Sequence, residues 1–438
     1  MLFRSCNHPC YLGLMHFESL QGWLQWQETL HSKQIDLGLE RVSRVYQLLE
    51  KPAKKPLTIT VGGTNGKGSC VAFLDAILRQ SGYRVGTYTS PHLQFYNERI
   101  RINGTVVPDR LICQAFERIE AVRGSTSLSY FEFCTLAALD IFSRTELDVQ
   151  LLEVGLGGRL DAVNVIDTDI ALIPSIGIDH SDWLGDTREL IAQEKIGIFR
   201  AGRPAVVGDV DPPAVIEAYA NELSAPLYLV GKDFSFEKHN DSWTWSSASD
   251  TVMHLPYPNL LGEHQLVNAA AVIQVLKVLA PRLPLTKNAV ADGLRQVQLS
   301  GRFQLIHGTP LILLDVGHNP LSAGILRDYL ASSFPDKKIH LIFNMMKDKD
   351  FVGVGQRLKS IVSNWYIAPL ASSRCADVEQ VIAGLSSCSI ENIFSGFRNF
   401  DETLVAAQDN SQSQDLIVIF GSFFLVSEFL SKRSADEV

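Results

Sequence analysis

Short apolar runs alternate with segments of helical length along most of the chain, and this alternation limits the folds available to it. Leu57–Val61 leads through a glycine-rich turn into a helical stretch from Gly68 to Gln80. Val149–Val154 and Ile170–Ile176 are mostly apolar and are bounded by glycine or aspartate, which is typical of buried parallel strands. The pattern predicts a parallel sheet that is covered by helices on both faces.

The glycine-rich segment after the first strand carries the strongest local signal. It reads Val61-Gly62-Gly63-Thr64-Asn65-Gly66-Lys67-Gly68-Ser69. Phosphate binding needs close backbone N–H groups, glycines that permit the turn, and a helix N-terminus that faces the anion. Lys67 adds a positive charge for the β- and γ-phosphates, so residues 63–69 form the candidate ATP-binding loop. The alternative is a plain glycine turn with an exposed lysine, since Val61 and Gly68 depart from the standard Walker A string.

The alternation restarts after a glycine-containing turn at Leu299, which predicts a second sheet. The strands expected in it are Leu311–Asp315, Ile339–Phe343, Trp365–Ala368 and Leu416–Phe420. Before the turn, Trp243–Trp245 and Thr251–Leu255 predict a small antiparallel ribbon, and Glu263–Leu279 predicts a helix. The predicted fold class is therefore α/β. An N-terminal P-loop ATPase-like domain (residues 1–298) has a mostly parallel sheet, and a smaller Rossmann-like α/β domain (residues 299–438) follows it.

Composition narrows the possible partners. The 438 residues are 46% hydrophobic, enough for two cores, and the net charge of -9 without a basic stripe argues against nucleic-acid binding. Seven scattered cysteines lack a C-x-x-C pair, which fits reduced thiols in the cytoplasm and gives no zinc signature. The longest apolar stretch, Leu416–Val426, is too short to cross a bilayer. We predict a soluble cytoplasmic protein without a membrane partner, whose start is either an irregular extension at Met1 or a true beginning at Met15.

Further motifs occur in a fixed order on both sides of the glycine loop. They are Ile35-Asp36-Leu37-Gly38-Leu39-Glu40-Arg41-Val42, Thr89-Ser90-Pro91-His92-Leu93, Asn97-Glu98-Arg99-Ile100, Glu153-Val154-Gly155-Leu156-Gly157-Gly158-Arg159-Leu160-Asp161-Ala162, Ile178-Asp179-His180, Glu194-Lys195-Ile196-Gly197-Ile198-Phe199-Arg200, Gly301-Arg302, Asp315-Val316-Gly317-His318-Asn319-Pro320 and Gly421-Ser422-Phe423. Together with Gly-Thr-Asn-Gly-Lys-Gly-Ser, they resemble the folylpolyglutamate synthase family, which belongs with the Mur ligases. The resemblance spans nearly the whole chain.

A metal site is expected where the strands of the first sheet end. Glu153 lies near the end of a buried strand, where ligand-facing residues of open parallel sheets sit, and Ser90 and His180 also follow strand-like runs. Magnesium prefers hard oxygen ligands and bridges carboxylates to phosphates. The resemblance implies that Ser90, Glu153 and His180 are the magnesium ligands, with two ions and a monovalent cation as candidate cofactors. The alternatives are a turn-capping carboxylate for Glu153 and a hydrogen-bonded loop histidine for His180.

The resemblance also assigns roles in catalysis and nucleotide binding. Lys67, His180 and Lys195 are the candidate catalytic residues, and Lys195, in a predicted helix at Thr187–Arg200, is implied to be carbamylated. The implied ATP contacts outside the loop are Asn268, Arg302, Asp315 and His318. Pattern alone makes Lys195 a solvated surface lysine by default. The alternative for Asn268, a helix-surface amide, is nearly as well supported as nucleotide contact. Asp315 and His318 can also mark a helix start, with Asn319 or Asp315 as the cap and Pro320 in the first turn.

The pterin-contacting residues rest mostly on the resemblance. They are Asp36, Leu37, Gly38, Leu39, Ser129, Tyr130, Phe131, Glu132, Leu160, Asp161 and Ala162. An aromatic pair with a carboxylate suits a flat ring that carries N–H donors. The alternatives are a helix N-cap for Asp36 and ordinary core packing for Tyr130 and Phe131.

The family resemblance implies an ATP-dependent ligase that acts alone as a monomer. It would join L-glutamate to dihydropteroate and extend reduced folates with γ-linked glutamates. The rivals are another Mur-type amide ligase and a P-loop protein that binds ATP without ligating anything. Ser300, Val163 and Phe424 stand where the family usually has proline, threonine and histidine, which bears on loop stiffness and substrate preference.

Overall fold

The structure is a computed structural model that describes residues 17–33, 35–52, 54–248, 252–372 and 374–436. The expectation about where the chain starts, at Met1 or Met15, lies outside these ranges. Among the described residues, no helix combines the length and the apolar character that crossing a bilayer requires.

The first predicted sheet is present and has eight strands within the described ranges, in the order β4-β3-β2-β5-β1-β6-β7-β8. The strands are β1 (Leu57–Val61), β2 (Val85–Tyr88), β3 (Ile100–Ile102), β4 (Thr105–Val106), β5 (Val149–Glu153), β6 (Ile170–Ile173), β7 (Ala205–Val207) and β8 (Leu227–Leu229). Strands β2, β5, β1, β6, β7 and β8 run parallel, and only β3 and β4 join antiparallel at one edge. The ends of β1, β2, β5 and β6 therefore meet along one side of the sheet.

Helices cover both faces of this sheet, because successive strand residues point to opposite sides. The helices are α1 (Leu20–Leu30), α2 (Glu40–Leu48), α3 (Lys67–Gln80), α4 (Asp109–Arg123), α5 (Tyr130–Ser143), α6 (Ser181–Leu184), α7 (Arg188–Ile196), α8 (Val215–Glu222), α9 (Glu263–Leu279) and α10 (Lys287–Gln296). Ile59 and Leu151 pack with α3, α9 and α10 on one face, whereas Leu152 packs with α4 and α5 on the other. The predicted ribbon is a three-stranded antiparallel sheet of β9 (Phe234–Lys238), β10 (Trp243–Ser247) and β11 (Val252–Leu255).

The second sheet has the order β12-β13-β17-β14-β15-β16 within the described ranges and is parallel except for β12. Its strands are β12 (Gln304–Ile306), β13 (Leu311–Asp315), β14 (Ile339–Phe343), β15 (Val362–Ile367), β16 (Ile393–Phe394) and β17 (Leu416–Phe420). Its helices are α11 (Pro320–Ser333), α12 (Phe351–Leu358), α13 (Val378–Ser387), α14 (Phe400–Asp409) and α15 (Phe423–Asp436). The mixed α/β class and the mostly parallel first sheet are confirmed.

Two local predictions and one alternative are wrong. The strand expected at Ile170–Ile176 ends at Ile173. The helix expected at Thr187–Arg200 begins at Arg188 and ends at Ile196, with Gly197 as its C-cap. Asp36 is not a helix N-cap, because α2 begins at Glu40 without a side-chain cap. The carboxylate of Asp36 instead forms an ion pair with Arg41 Nη1 at 2.6 Å and a hydrogen bond with His31 Nε2 at 3.0 Å.

Candidate active site

The glycine loop lies between the end of β1 and the start of α3, and two of its glycines are required by their backbone. Gly63 has φ +141° and Gly66, which precedes the first residue of α3, has φ +83°. A Cβ at Gly66 would lie 2.6 Å from Asn268 Oδ1, so a larger residue there meets α9 as well as an unfavourable backbone. The loop therefore exposes the helix N-terminus to whatever binds in front of it.

Hydrogen bonds to the segment after β6 hold the loop in place. Thr64 N donates to Ser175 O at 2.9 Å, and Asn65 N donates to Ser175 Oγ at 3.0 Å. The Thr64 hydroxyl donates to Gly177 O at 3.0 Å and accepts from Gly177 N at 2.9 Å. These bonds join residues of the first unit, which is the part of the chain that carries the first sheet; the second unit carries the second sheet. The loop therefore needs no contact with a ligand or with the second unit to keep its shape.

Lys67 folds back over the loop instead of extending into solvent. Its Nζ donates to Gly63 O at 2.9 Å and to Thr64 O at 3.1 Å. Burial lowers the pKa of Lys67, while Glu153 and Asp179 oppose that shift. The alternative of an exposed lysine on a plain turn is therefore excluded by the geometry.

Glu153 and Ser90 meet at the ends of the neighbouring strands β5 and β2. The Ser90 N–H donates to Glu153 Oε2 at 3.2 Å, and burial raises the pKa of the Glu153 carboxyl against the pull of Lys67. Carboxylate and hydroxyl oxygens are the ligands that Mg²⁺ prefers, and Mg²⁺ usually completes its shell with phosphate and water. The two side chains fit a magnesium site of that kind. Among the described residues, no three His, Cys, Asp or Glu side chains cluster closely enough to hold a metal alone.

His180 lines the same cavity from the segment after β6, but its Nε2 already has a partner. Its φ of +53° is in the left-handed region, which few non-glycine residues adopt. Nε2 lies 3.1 Å from Lys349 Nζ and therefore accepts a hydrogen bond from it. Burial lowers the pKa of His180 to about 4, so the imidazole is neutral and can act as a ligand. A metal at this nitrogen requires Lys349 to move.

Lys195 is buried, which contradicts the surface-lysine alternative. The residue is 3% exposed in the last turn of α7 and lines the same cavity as Lys67. Burial, with a further contribution from Lys67, lowers the pKa of Lys195 to about 7. A large fraction of the amine is therefore uncharged near neutral pH, and the uncharged amine is the form that reacts with carbon dioxide.

The second unit contributes Arg302 and Asp315 to the site. A Cβ on Gly68 would lie 3.7 Å from Arg302 Nη2 and 3.8 Å from Glu153 Oε2, so both side chains reach the start of α3. Asp315, at the end of β13, accepts from Gly317 N at 2.8 Å and from Phe303 N at 3.2 Å. Burial raises its pKa to about 6 despite the nearby Arg302 guanidinium.

His318 and Asn268 complete the predicted nucleotide contacts. The His318 Nδ1–H donates to Val316 O at 2.9 Å, which leaves Nε2 to face Asp179 Oδ2 at 3.6 Å. Asn268 is buried on α9 with its amide donating to Gln265 Oε1 at 3.0 Å, so it is not a helix-surface residue. Asn319 caps α11 with Pro320 in the first turn, as predicted.

One cavity of about 190 Å³ brings most of the predicted catalytic, metal and ATP residues together. Its lining includes Gly63, Thr64, Asn65, Gly66, Lys67, Gly68, Ser69, Ser90, Glu153, His180, Lys195, Arg302, Asp315 and His318. An adjoining cavity of about 760 Å³ shares Asn65 and His180 and adds Asn268. Both lie between the two units, at the carboxyl ends of the parallel strands, where ligands bind in open α/β sheets.

The predicted pterin segments converge beside this cavity without lining it. Gly38 N donates to Leu160 O at 3.1 Å, and Arg41 joins Asp36 to Glu132, at 2.6 Å and 3.1 Å. Ser129 and Glu132 also form a capping box at the start of α5. Asp161 accepts from Leu156 N at 2.8 Å and from Val163 N at 2.9 Å.

The remaining members of this set contact core side chains. A Cβ on Gly155 would lie 2.5 Å from Phe131 Cζ, and the Arg99 guanidinium is 5.8 Å from the Tyr130 ring. Both aromatic residues are packed against the buried cluster of α4 and α5, in line with the core-packing alternative. Leu37, Leu39 and Ala162 lie in the same converging segments.

Sequence reasoning missed Lys349 and His264, and it gave Asp179 and Asn319 no role at the join of the two units. Asp179, Lys349 and Asn319 form polar contacts at the join of the two units, and His264 lines both cavities with a buried Nδ1 that has no hydrogen-bond partner among the described residues. A sequence signal existed for His264, because it precedes Asn268 by four residues and so lies on the same face of α9. The Ser129-x-x-Glu132 spacing likewise signals a capping box.

Comparisons with known proteins agree with this arrangement. The family model of the Mur ligase middle domain matches residues 61–276, and that of the Mur ligase glutamate ligase domain matches residues 301–423. The dihydrofolate synthase/folylpolyglutamate synthase of Escherichia coli (strain K12) is 40% identical over 411 residues, 94% of each chain. That of Haemophilus influenzae is 37% identical over 429 residues, 94% of this chain and 96% of the relative.

Solved structures show the same likeness. Escherichia coli FolC in complex with DHPP and ADP has a TM-score of 0.90 at 40% identity, covering 96% of this chain and 99% of that one. The bifunctional folylpolyglutamate synthase/dihydrofolate synthase from Yersinia pestis, complexed with AMPPNP and Mn ion, has a TM-score of 0.87 at 42% identity, covering 95% and 98%. The chain therefore belongs to the dihydrofolate synthase/folylpolyglutamate synthase family, whose members are ATP-dependent ligases of the Mur type.

Proposed function

We propose that this chain joins L-glutamate to dihydropteroate to give dihydrofolate, and that it adds further γ-linked glutamates to reduced folates. The observation that carries the proposal is the cavity in which a phosphate-binding loop, two oxygen ligands for a divalent cation and an arginine from the second unit face one another. Such a site activates a carboxylate with ATP, because it gathers positive charge around a triphosphate and leaves room beside it for an acceptor.

The chain's own residues act mainly by stabilising the negative charge of the phosphates and by positioning the reactants. Lys67 and Arg302 stabilise the triphosphate while the pterin carboxylate attacks the γ-phosphorus in line, forming an acyl phosphate and releasing ADP. The glutamate amine then attacks the acyl carbon and phosphate leaves with its bonding electron pair. Magnesium, when bound by Ser90 and Glu153, supplies further positive charge at the phosphates. Orientation of reactants can contribute about 7–11 kcal/mol in well-arranged systems.

The finer assignments are part of the same proposal. Two magnesium ions bind, the second through His180, and a monovalent cation is a further candidate cofactor. Lys195 is carbamylated, which its burial and its pKa of about 7 support. Asn268, Asp315 and His318 contact the nucleoside part of ATP, with Asp315 on the ribose.

The pterin binds where the three converging segments meet. It contacts Asp36–Leu39, Ser129–Glu132 and Leu160–Ala162, and the contact between Gly38 and Leu160 supports a single site. Residues 1–298 and 299–438 are the two domains, and the chain works as a monomer in the cytoplasm. The known complexes of relatives with ADP, AMPPNP, Mn and DHPP support binding of ATP, a divalent cation and a pterin substrate.

A purified-enzyme assay tests the proposal. Dihydropteroate and tetrahydrofolate are offered separately, each with ATP, Mg²⁺ and L-glutamate, and phosphate release and product mass are measured. We expect phosphate release that depends on both pterin and glutamate, with one glutamate added to dihydropteroate. A protein that only binds ATP would release no phosphate under any of these conditions. Another Mur-type ligase would be inactive with both pterins and active only with its own acid substrate.

A further inference from the structure

A buried ion pair joins the two units next to the glycine loop. Asp179 follows β6 in the first unit, and Lys349 precedes α12 in the second; their side chains are 8% and 5% exposed. Lys349 Nζ lies 2.6 Å from Asp179 Oδ1, and the Asn319 amide donates to Asp179 Oδ2 at 3.0 Å. Both oxygens of one carboxylate are therefore occupied by donors from the other unit. Breaking a buried pair of this kind is costly, because the remaining charge loses its partner.

The same ammonium also contacts His180. Lys349 Nζ lies 3.1 Å from His180 Nε2, and Asp348 Oδ2 lies 3.9 Å from both Lys349 Nζ and His180 Nδ1. The lysine charge thus sits among one carboxylate, one imidazole nitrogen and a second, more distant carboxylate. These are groups that would also attract a divalent cation. Nε2 has a single lone pair, so it serves either the ammonium or a metal ion.

This contact is tied directly to the phosphate-binding loop. Asn319 Nδ2 donates to Asn65 Oδ1 at 3.0 Å, and Asn65 Nδ2 donates to Asn319 Oδ1 at 3.2 Å. Asn65 belongs to the loop, and Asn319 begins α11 of the second unit. Any change in the Asp179 contact is therefore transmitted to the position of the loop relative to the second sheet.

We propose that Lys349 is a positioning residue that acts as an internal cation, holding Asp179 and His180 to the second unit until a divalent cation at His180 takes its place. The inference rests on the proposed role of His180 as a metal ligand. Arrival of the divalent cation replaces one hydrogen bond to Nε2 with a metal bond and leaves Lys349 paired with Asp179 alone. Cation binding and the relative placement of the two units are then coupled.

Mn²⁺ binding to the full chain tests the exchange, with electron paramagnetic resonance counting the free ion. Lys349→Met removes the competing charge without a large change in volume, and we expect Mn²⁺ to bind about tenfold more tightly, as coupling energies of this class allow. Lys347→Met is the matched control, because Lys347 is exposed two residues away, and it should leave the affinity unchanged. An unchanged affinity in Lys349→Met, or an equal gain in both variants, would overturn the proposal.

A second measurement needs no variant and therefore does not depend on whether Lys349→Met folds. Brief acetylation of the native chain, read by mass spectrometry, reports how accessible each lysine amine is, and Lys347 serves as the internal reference. We expect Mn²⁺ to raise the acetylation of Lys349 relative to Lys347. Equal or lower acetylation of Lys349 with Mn²⁺ would contradict the exchange. Neither readout needs turnover, so loss of the proposed ligase activity would appear separately, in the phosphate-release assay.

Discussion

The two sides of the active site are built in different ways. The phosphate-binding loop is held within the first unit by its own backbone, through bonds such as Thr64 N to Ser175 O at 2.9 Å. The opposite side depends on side chains that cross between units, chiefly Asn319 and Lys349 reaching Asp179. The loop is therefore preformed, whereas the second side exists only when the units are correctly placed. Substitutions on the first side should change nucleotide binding and phosphoryl transfer. Substitutions on the second side should change how the two units are placed relative to each other.

Lys67→Ala should have the largest effect on activity. We expect ligation to fall by about a hundredfold or more, because the substitution removes a positive charge that stabilises the transferred phosphoryl group. Steady-state phosphate release with dihydropteroate and glutamate measures the change, and the exposed Lys287→Ala is the control. Near-normal turnover in Lys67→Ala would remove the loop from the mechanism.

Gly66→Ala tests the shape of the loop. The new Cβ would lie 2.6 Å from Asn268 Oδ1 at a backbone φ of +83°, so we expect ADP affinity to fall by about tenfold, from strain of roughly 1–3 kcal/mol. Gly82→Ala is a matched control, since Gly82 also has φ +83° but a Cβ there meets nothing within 4 Å. Calorimetric titration with ADP should show a loss only for Gly66→Ala. Equal losses would mean that the weaker ADP binding comes from a general loss of stability and not from the shape of this loop.

Lys195→Met should uncouple activity from stability. The folded-state pKa of about 7 is below the ordinary lysine value, so between those pH values the unfolded chain binds the extra proton and the native protein gains stability as pH rises. In buffer freed of carbon dioxide, where Lys195 is an uncarbamylated amine, the variant should therefore be more stable than the native chain at pH 7, by about 4 kcal/mol, and the gap should shrink towards pH 10. Urea unfolding at both pH values measures this, while ligation should fall at both, by less than in Lys67→Ala. A gap that does not change with pH would show that Lys195 is not a buried titrating amine.

Asn319→Ala tests the side of the active site that is built by side chains crossing between the two units. Of the four substitutions, it should have the smallest effect on activity. It removes the pairs with Asn65 and Asp179 and also the N-cap of α11. Asn399→Ala is the matched control, because it removes the N-cap of α14 through the bond to Glu402 N at 3.0 Å. Asn399→Ala should lose about 1 kcal/mol of unfolding free energy. Asn319→Ala should lose more, because it also removes a donor to the buried Asp179 carboxylate. Only Asn319→Ala should also lower kcat/KM, by roughly fivefold. If Asn399→Ala lowered kcat/KM by a similar factor, the loss of activity would be explained by helix stability and not by the contacts between the units.

The sequence was sufficient to predict structural features that depend only on residues close together in the chain. The strand Leu57–Val61 and its glycine loop have the predicted bounds, because five apolar or β-branched residues followed by glycines leave few other local structures. The strand Leu416–Phe420 was found for the same reason. Asp36 shows the limit of local reasoning. Aspartate is a common N-cap residue, but the carboxylate of Asp36 binds the Arg41 guanidinium, five residues later, instead of a backbone N–H of the helix.

Features that join distant segments were not predictable. Lys349 contacts Asp179 across 170 positions, and no periodicity or composition marks the pair. The burial of Lys195 was also invisible, because a lysine in the last turn of an amphipathic helix usually lies in solvent. His264 was within reach of helical spacing, yet its importance depends on the cavities that only the packed units create.

Oxygen transfer gives the most direct test of the central claim, that ATP activates the pterin carboxylate at this site. Dihydropteroate labelled with ¹⁸O in its carboxylate is turned over with ATP, Mg²⁺ and L-glutamate, and the released phosphate is examined by mass spectrometry. We expect one labelled oxygen in each phosphate, since the carboxylate oxygen that attacks the γ-phosphorus leaves with it. Unlabelled phosphate alongside normal ligation would contradict the account.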